Sequence, residues 1–153
     1  MKTLPLLLSL LIQSLFAEEA YPIFVQLVGK SDLIVKGEVV FLMGAIGKDE
    51  AFDYAIQLKI MKVYKGEGPQ IDEIISMSYK GITNSEGESI NAPVKGRTFI
   101  FFLRKEVLAD PFNPDNPLII WHPIDRLFGT LEAAESVEKQ LHQIIKNNDN
   151  NNP

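Results

Sequence analysis

The sequence predicts a mainly β protein: a five-stranded barrel with a short helix before the first strand and an amphipathic helix after the last. Three observations carry this. Ser31 to Leu42 is dense in β-branched residues and sets Leu33, Val35, Val39 and Phe41 on one face at period two, with Lys36 and Glu38 opposite. Four further runs of strand character follow, separated by segments rich in Gly, Pro and Asn. Leu131 to Lys146 instead shows helical spacing. With 153 residues, 46% hydrophobic and 23% charged, the chain suits one globular domain.

The elements follow in order. Tyr21 to Lys30 places Phe24, Leu27 and Val28 at i, i+3, i+4, the spacing of a short helix lying on a core, and Gly29 is placed to end it. In the first strand Gly37 marks a bulge or tight bend, which a small barrel needs in order to close. After a turn through Gly44, Gly47 and Lys48-Asp49-Glu50, the second strand sets Phe52, Tyr54, Ile56, Leu58 and Ile60 on one face. Met61 and Val63 break the alternation, predicting a bulge before the Lys65 to Pro69 turn.

The third strand, Asp72 to Tyr79, has Ile75, Met77 and Tyr79 on one face and Ile74, Ser76 and Ser78 on the other. A Gly/Asn/Ser-rich loop spans Lys80 to Gly96. The fourth strand, Arg97 to Lys105, is apolar on both faces from Phe99 to Leu103, so it is expected to run centrally, covered by another element. Ala109 to Pro117 carries Pro111, Pro114 and Pro117 and reads as a stiff loop before the fifth strand, Leu118 to His122, which Pro123 ends. Gly129-Thr130 is the expected cap of the last helix, whose apolar side is Leu131, Ala134, Val137, Leu141, Ile144 and Ile145. The Asn-rich segment 147–153 is expected to be disordered.

Residues 1–17 have the layout of a secretory signal peptide: Lys2, an apolar run from Leu4 to Ile12, and a small residue, Ala17, ahead of Glu18-Glu19. The apolar run is shorter than the roughly 20 residues needed to span a bilayer. This predicts a mature domain over 18–146 in a secreted or periplasmic setting, with no integral membrane segment after signal removal. Loss of Lys2 leaves 14 basic residues of 15 against 20 acidic ones, a net charge of −6. Nucleic acid is therefore not an expected partner, since its binding rests on Lys and Arg neutralising phosphates. The absence of cysteine excludes disulfides, thiolate metal sites and cysteine nucleophiles.

Three stretches, Ser31 to Val39, Leu58 to Gly66 and Gly96 to Leu103, resemble a pattern of uncharacterised exported bacterial proteins. Those are held to form a five-stranded barrel similar to the oligonucleotide/oligosaccharide-binding (OB) fold and to the inhibitory domain of tissue inhibitors of metalloproteinases. The resemblance covers about the first two thirds of the mature chain and implies an OB-like barrel. It rests on strand and turn residues, which specify fold rather than function. The amino-terminal cysteine that defines the inhibitors is absent, so protease inhibition is not carried over.

Residues with chemical potential are few. His122 follows Trp121 in the fifth strand with no second ligand at metal spacing, and reads as a half-buried structural histidine; His142 reads as solvated. Asp110, Asn113, Asp115 and Asn116 offer oxygen ligands in one loop, but three prolines make a poor calcium cradle. The serines lack a nucleophile elbow, and neither a Walker glycine run nor His-Glu-x-x-His occurs. Phe52, Tyr54, Phe99 and Phe101 fit core packing better than a stacking platform, and Asp32 and the Lys59, Lys62, Lys65 series fit a solvated face. The expectation is a non-catalytic binding or interaction module without cofactor, its partner a protein or a cell-envelope component. The alternative is a small exported hydrolase with carboxylates drawn from different strands. Contact is expected through two loops, with Lys48 and Asp49 on one and Phe112 and Asp115 on the other, Phe112 either projecting as an anchor or folding back to plug the barrel.

Overall fold

The first strand has a neighbour on each side, and that closes the barrel. In the computed structural model, which describes residues 22–46, 52–83, 89–90, 93–125 and 130–151, β1 (Leu33–Ile46) pairs antiparallel with β2 (Phe52–Lys65) and also with β6 (Thr98–Leu108). β2 continues to β3 (Ile74–Lys80), and β6 pairs antiparallel with β7 (Leu118–Pro123). A parallel bridge from Met77 on β3 to Trp121 on β7 completes the ring in the order β1-β2-β3-β7-β6-β1. The result is the OB-like five-stranded barrel, flanked by helix α1 (residues 22–30) and helix α2 (Glu135–Asn151). The signal-like residues 1–17 lie outside the described residues.

Two apolar clusters share the same strands. Inside the barrel, Leu33, Val35, Val39, Ile56, Leu58, Ile60, Met77, Phe101 and Trp121 pack together. On the outer wall, Ile34 of β1 and Ile100 and Phe102 of β6 are covered by Phe24, Leu27 and Val28 of α1 and by Leu141 and Ile144 of α2. This is why Phe99 to Leu103 is apolar on both faces. The ring of Phe24 meets that of Phe102 edge-on at 5.7 Å, a favoured aromatic geometry.

Bulges set which side chains enter the barrel. The register of β1 on β2 slips three times, passing over Tyr64, Met61 and Val40, so the irregularity expected around Met61 and Val63 is present. The slip at Val40 reverses the alternation beyond it: Leu42 packs against the barrel core, whereas Phe41, expected on the inner face, is turned outward and is 41% exposed. At Gly37 a Cβ would meet the carbonyl oxygen of Lys59 at 3.3 Å, so this glycine lets β1 bend closely over β2. Gly66 has φ +97° and no room for a Cβ, which would lie 2.2 Å from the Asp32 carbonyl oxygen.

The helices are fixed by polar contacts as well. Ser31 Oγ donates to the carbonyl of Leu27 at 2.6 Å, and Lys65 Nζ donates to the carbonyls of Val28 and Ser31 at 2.7 and 2.8 Å, capping the end of α1. The helix runs through residue 30 rather than stopping at Gly29. Lys65 is thus a cap, not part of a solvated face; Lys59 pairs with Asp72, and Lys62 lies 4.7 Å over the ring of Tyr64.

Two further departures concern the carboxy-terminal third. Thr130–Glu132, expected at the start of a helix, forms strand β8 against Phe99–Phe101 of β6, and Arg97 pairs there with Glu132. The helix begins at Glu135, with the Ala134 carbonyl accepting from the Glu138 amide at 3.0 Å. Leu131 still packs on the helix-covered cluster, which is why it fits the apolar pattern. Residues 147–151, expected to be disordered, continue α2. A two-residue hairpin of β4 (Ile82–Thr83) and β5 (Ser89–Ile90) interrupts the loop expected between Lys80 and Gly96. No helix among the described residues is long and apolar enough to cross a membrane.

Candidate functional site

The β1–β2 and β6–β7 hairpins form two arms, the first of which stays part of the barrel wall through the pairing of β2 with β3. β1 and β2 stay paired from Phe41 opposite Gln57 to Ile46 opposite Phe52, with Met43 on the outside at 59% exposure. β6 and β7 stay paired to Leu108 opposite Leu118. On this second arm Val107, Leu108, Leu118 and Ile119 are all exposed, on both faces of the ribbon, because the strands have run beyond the core that would cover them.

Its tip is the triple-proline loop. Asp110 Oδ1 accepts the Phe112 amide at 2.9 Å, and the Asn113 and Asn116 amides donate to the carbonyls of Asp110 and Asn113. This turn chemistry holds the loop and aims Phe112 away from it: the ring is 96% exposed. Phe112 therefore projects and does not plug the barrel. Asp115 lies exposed on the same loop, whereas Lys48 and Asp49 fall outside the described residues.

A groove of about 440 Å³ lies between the arms with β3 as its floor; Met43, Tyr54, Ala55, Met77 and Ile120 give it apolar walls. Asp53 also lines it, and one of its carboxylate oxygens is buried with no hydrogen-bond partner.

A second, polar cleft of about 560 Å³ opens on the barrel wall where β3 and β7 part beyond their single bridge. His122 lies in it half-buried, its Nε2 2.5 Å from Oε2 of Glu106. Sequence spacing gave no sign of this carboxylate, because Glu106 stands opposite Ile120 on the neighbouring strand and reaches His122 diagonally. Asp32, expected to be solvated, accepts the Lys105 amide at 2.9 Å on its Oδ2 and so caps the edge of β6 where β1 begins. His142, on exposed α2 surface, is held by the Glu138 carbonyl at 2.8 Å and by the edge of the Tyr64 ring.

Phe101 is fully buried, and Tyr54 and Phe99 pack against the same core, as expected; the Phe52 side chain is outside the described set. Among the described residues no group of three or more His, Cys, Asp or Glu side chains is placed to hold a metal. No family model matches the chain, and no curated protein matches it.

Proposed function

We propose that the chain is a secreted or periplasmic, non-catalytic binding module of the OB-like kind found in exported bacterial proteins, and that its partner, a protein or a cell-envelope component, is held by the β6–β7 arm and the adjoining groove. The observation that carries this is the exposure of Val107, Leu108, Phe112, Leu118 and Ile119 on one arm. Exposed apolar side chains gathered in this way mark interaction sites, and a projecting aromatic ring on a proline-stiffened loop loses little entropy when it is bound. Barrels of this architecture hold ligands beside the corresponding two loops, and the groove is lined by β1, β2 and β3 with Ile120 of β7. The hydrolase alternative draws on the contact between His122 and Glu106, but among the described residues Glu106 is the one carboxylate lining that cleft.

Phe112→Ala tests the proposal. The variant is expected to melt within about 1 °C of the wild type, because a surface side chain away from the core costs little to remove. Recovery of the partner from an envelope extract of the native host, with the mature protein as bait, should fall about tenfold. Undiminished recovery by the folded variant would remove Phe112 from the interface.

A further inference from the structure

The chain is acidic overall, with 20 acidic residues against 15 basic, yet the polar cleft between β3, β6 and β7 collects Lys80, Arg104 and Lys105 around His122. Its one lining carboxylate, Glu106, is engaged by His122. Among the described residues the side chains of Lys80, Arg104 and Lys105 enter no ion pair. The acids on its flanks are Asp32, whose carboxylate accepts the Lys105 amide, and Asp125, which shares a neighbouring cavity with Arg104 and Lys30.

Strand register makes this an ordered arrangement. Arg104 stands directly opposite His122 across β6 and β7, so the two side chains share one face. Met77 bridges Trp121 across β3 and β7, which puts Ser78 beside His122 on that same face and Lys80 one step further along. Three adjacent strands thus present a hydroxyl, an imidazole and a guanidinium in a row, with Lys80 on the same face, while Lys105 reaches the rim of the cleft from the neighbouring position.

We infer that this cleft is a binding site for a small phosphate-type oxyanion. Arg104 would grip it through the planar fork of its guanidinium, Lys80 would add a second positive charge, and the Ser78 hydroxyl would supply a further donor. At about 560 Å³ the cleft has the size of a small-molecule site and accommodates a phosphate group with an organic substituent. The donors stand on paired strands, which fixes their spacing more firmly than loops would. This site is separate from the apolar groove and arm, and it stands or falls independently of them.

The test is titration of the mature, isotopically labelled protein with inorganic phosphate at constant ionic strength, followed by amide chemical shifts. Saturable shifts confined to Ser78–Lys80, Arg104–Glu106 and His122 are expected. Arg104→Gln should weaken binding at least tenfold, and Arg104→Lys, which keeps the charge and loses the fork, severalfold. Lys139→Gln on α2, where Lys139 pairs with Glu135 far along the chain, should bind as the wild type does. A phosphomonoester run beside phosphate separates the sources of the ligand: tighter binding assigns an organic phosphate and equal binding the free anion, and both support the site. Shifts that fail to saturate, that spread over the surface lysines, or that survive Arg104→Gln with equal affinity would overturn it. Since Arg104→Lys is the milder change, an unfolded Arg104→Gln would still leave the affinity test in place.

Discussion

Glu138 joins the carboxy-terminal helix to the barrel through three side chains. Its carboxylate accepts from Lys36 Nζ at 2.6 Å and from the Tyr64 hydroxyl at 2.8 Å, with Lys62 at 3.9 Å. The hydrogen bond from Lys36, then that from Tyr64, holds the Glu138 carboxyl below its ordinary value of 4.5 against the opposing effect of burial. A carboxyl with a lower pKa folded than unfolded stabilises the fold at any pH above the unfolded value, and this contribution is lost as pH falls from about 4.5 through the folded value. Glu138→Gln should therefore cost about 1–2 kcal/mol at pH 7, with the gap to the wild type closing in denaturant titrations below about pH 4. A gap that stays constant with pH would place the effect in packing alone. Burial, followed by the bond to Glu138, raises the Tyr64 phenol well above its usual value, so stability should also fall once alkali ionises this tyrosine in the unfolded chain. None of this was legible in the sequence: Lys36 and Glu138 lie 102 positions apart, and only the closed barrel with α2 against it brings them together. The pair of His122 and Glu106, 16 positions apart, was hidden for a related reason, since a diagonal contact requires the register of β6 on β7.

At the scale of elements, periodicity exposed what faces an apolar layer and concealed what depends on a bulge or an edge. Leu33, Val35, Ile75, Met77, Phe24, Leu27 and Leu141 were placed correctly because each lies on an unbroken pattern against a core. Phe41 was misplaced because one extra residue, Val40, reverses every side chain after it. Leu131 looked helical because it contributes to the same cluster as the helix, although an available edge on β6 draws Thr130–Glu132 into the sheet. Composition predicts disorder for 147–153, but residues 147–151 extend a helix already nucleated and anchored by Leu141 and Ile144. Leu141→Asp should accordingly destabilise the protein by about 3 kcal/mol, because Leu141 is fully buried and the introduced carboxylate has no partner there. Removing residues 147–153 should shift stability by less than about 0.5 kcal/mol, residues 147–150 being exposed. Equal losses in thermal unfolding would mean that the last turns of α2, not its buried face, hold it in place.

In the whole molecule β1 and β6 serve as wall to both apolar clusters, one inside the barrel and one outside it, and β6 runs on from that wall into the arm that carries exposed apolar side chains. Burial and exposure thereby fall on different stretches of the same strand. In β6, Ile100, Phe101, Phe102 and Leu103 are fully buried, while Val107 and Leu108 a few residues on are exposed. Amide hydrogen exchange should register this division along a single strand: residues 100–103 should exchange only through global unfolding, whereas 106–108 and 118–120 should exchange through local opening and far faster. Substitution should divide in the same way. Phe102→Ala empties a site packed between barrel and helices and should cost about 3–5 kcal/mol, whereas Ile119→Thr, at a position 46% exposed, should stay within about 0.5 kcal/mol of the wild type. If Ile119→Thr instead lowered stability as Phe102→Ala does, or if the arm amides were protected as strongly as those of residues 100–103, the β6–β7 arm would belong to the cooperative core, and its apolar side chains would have to be explained by packing rather than by a partner.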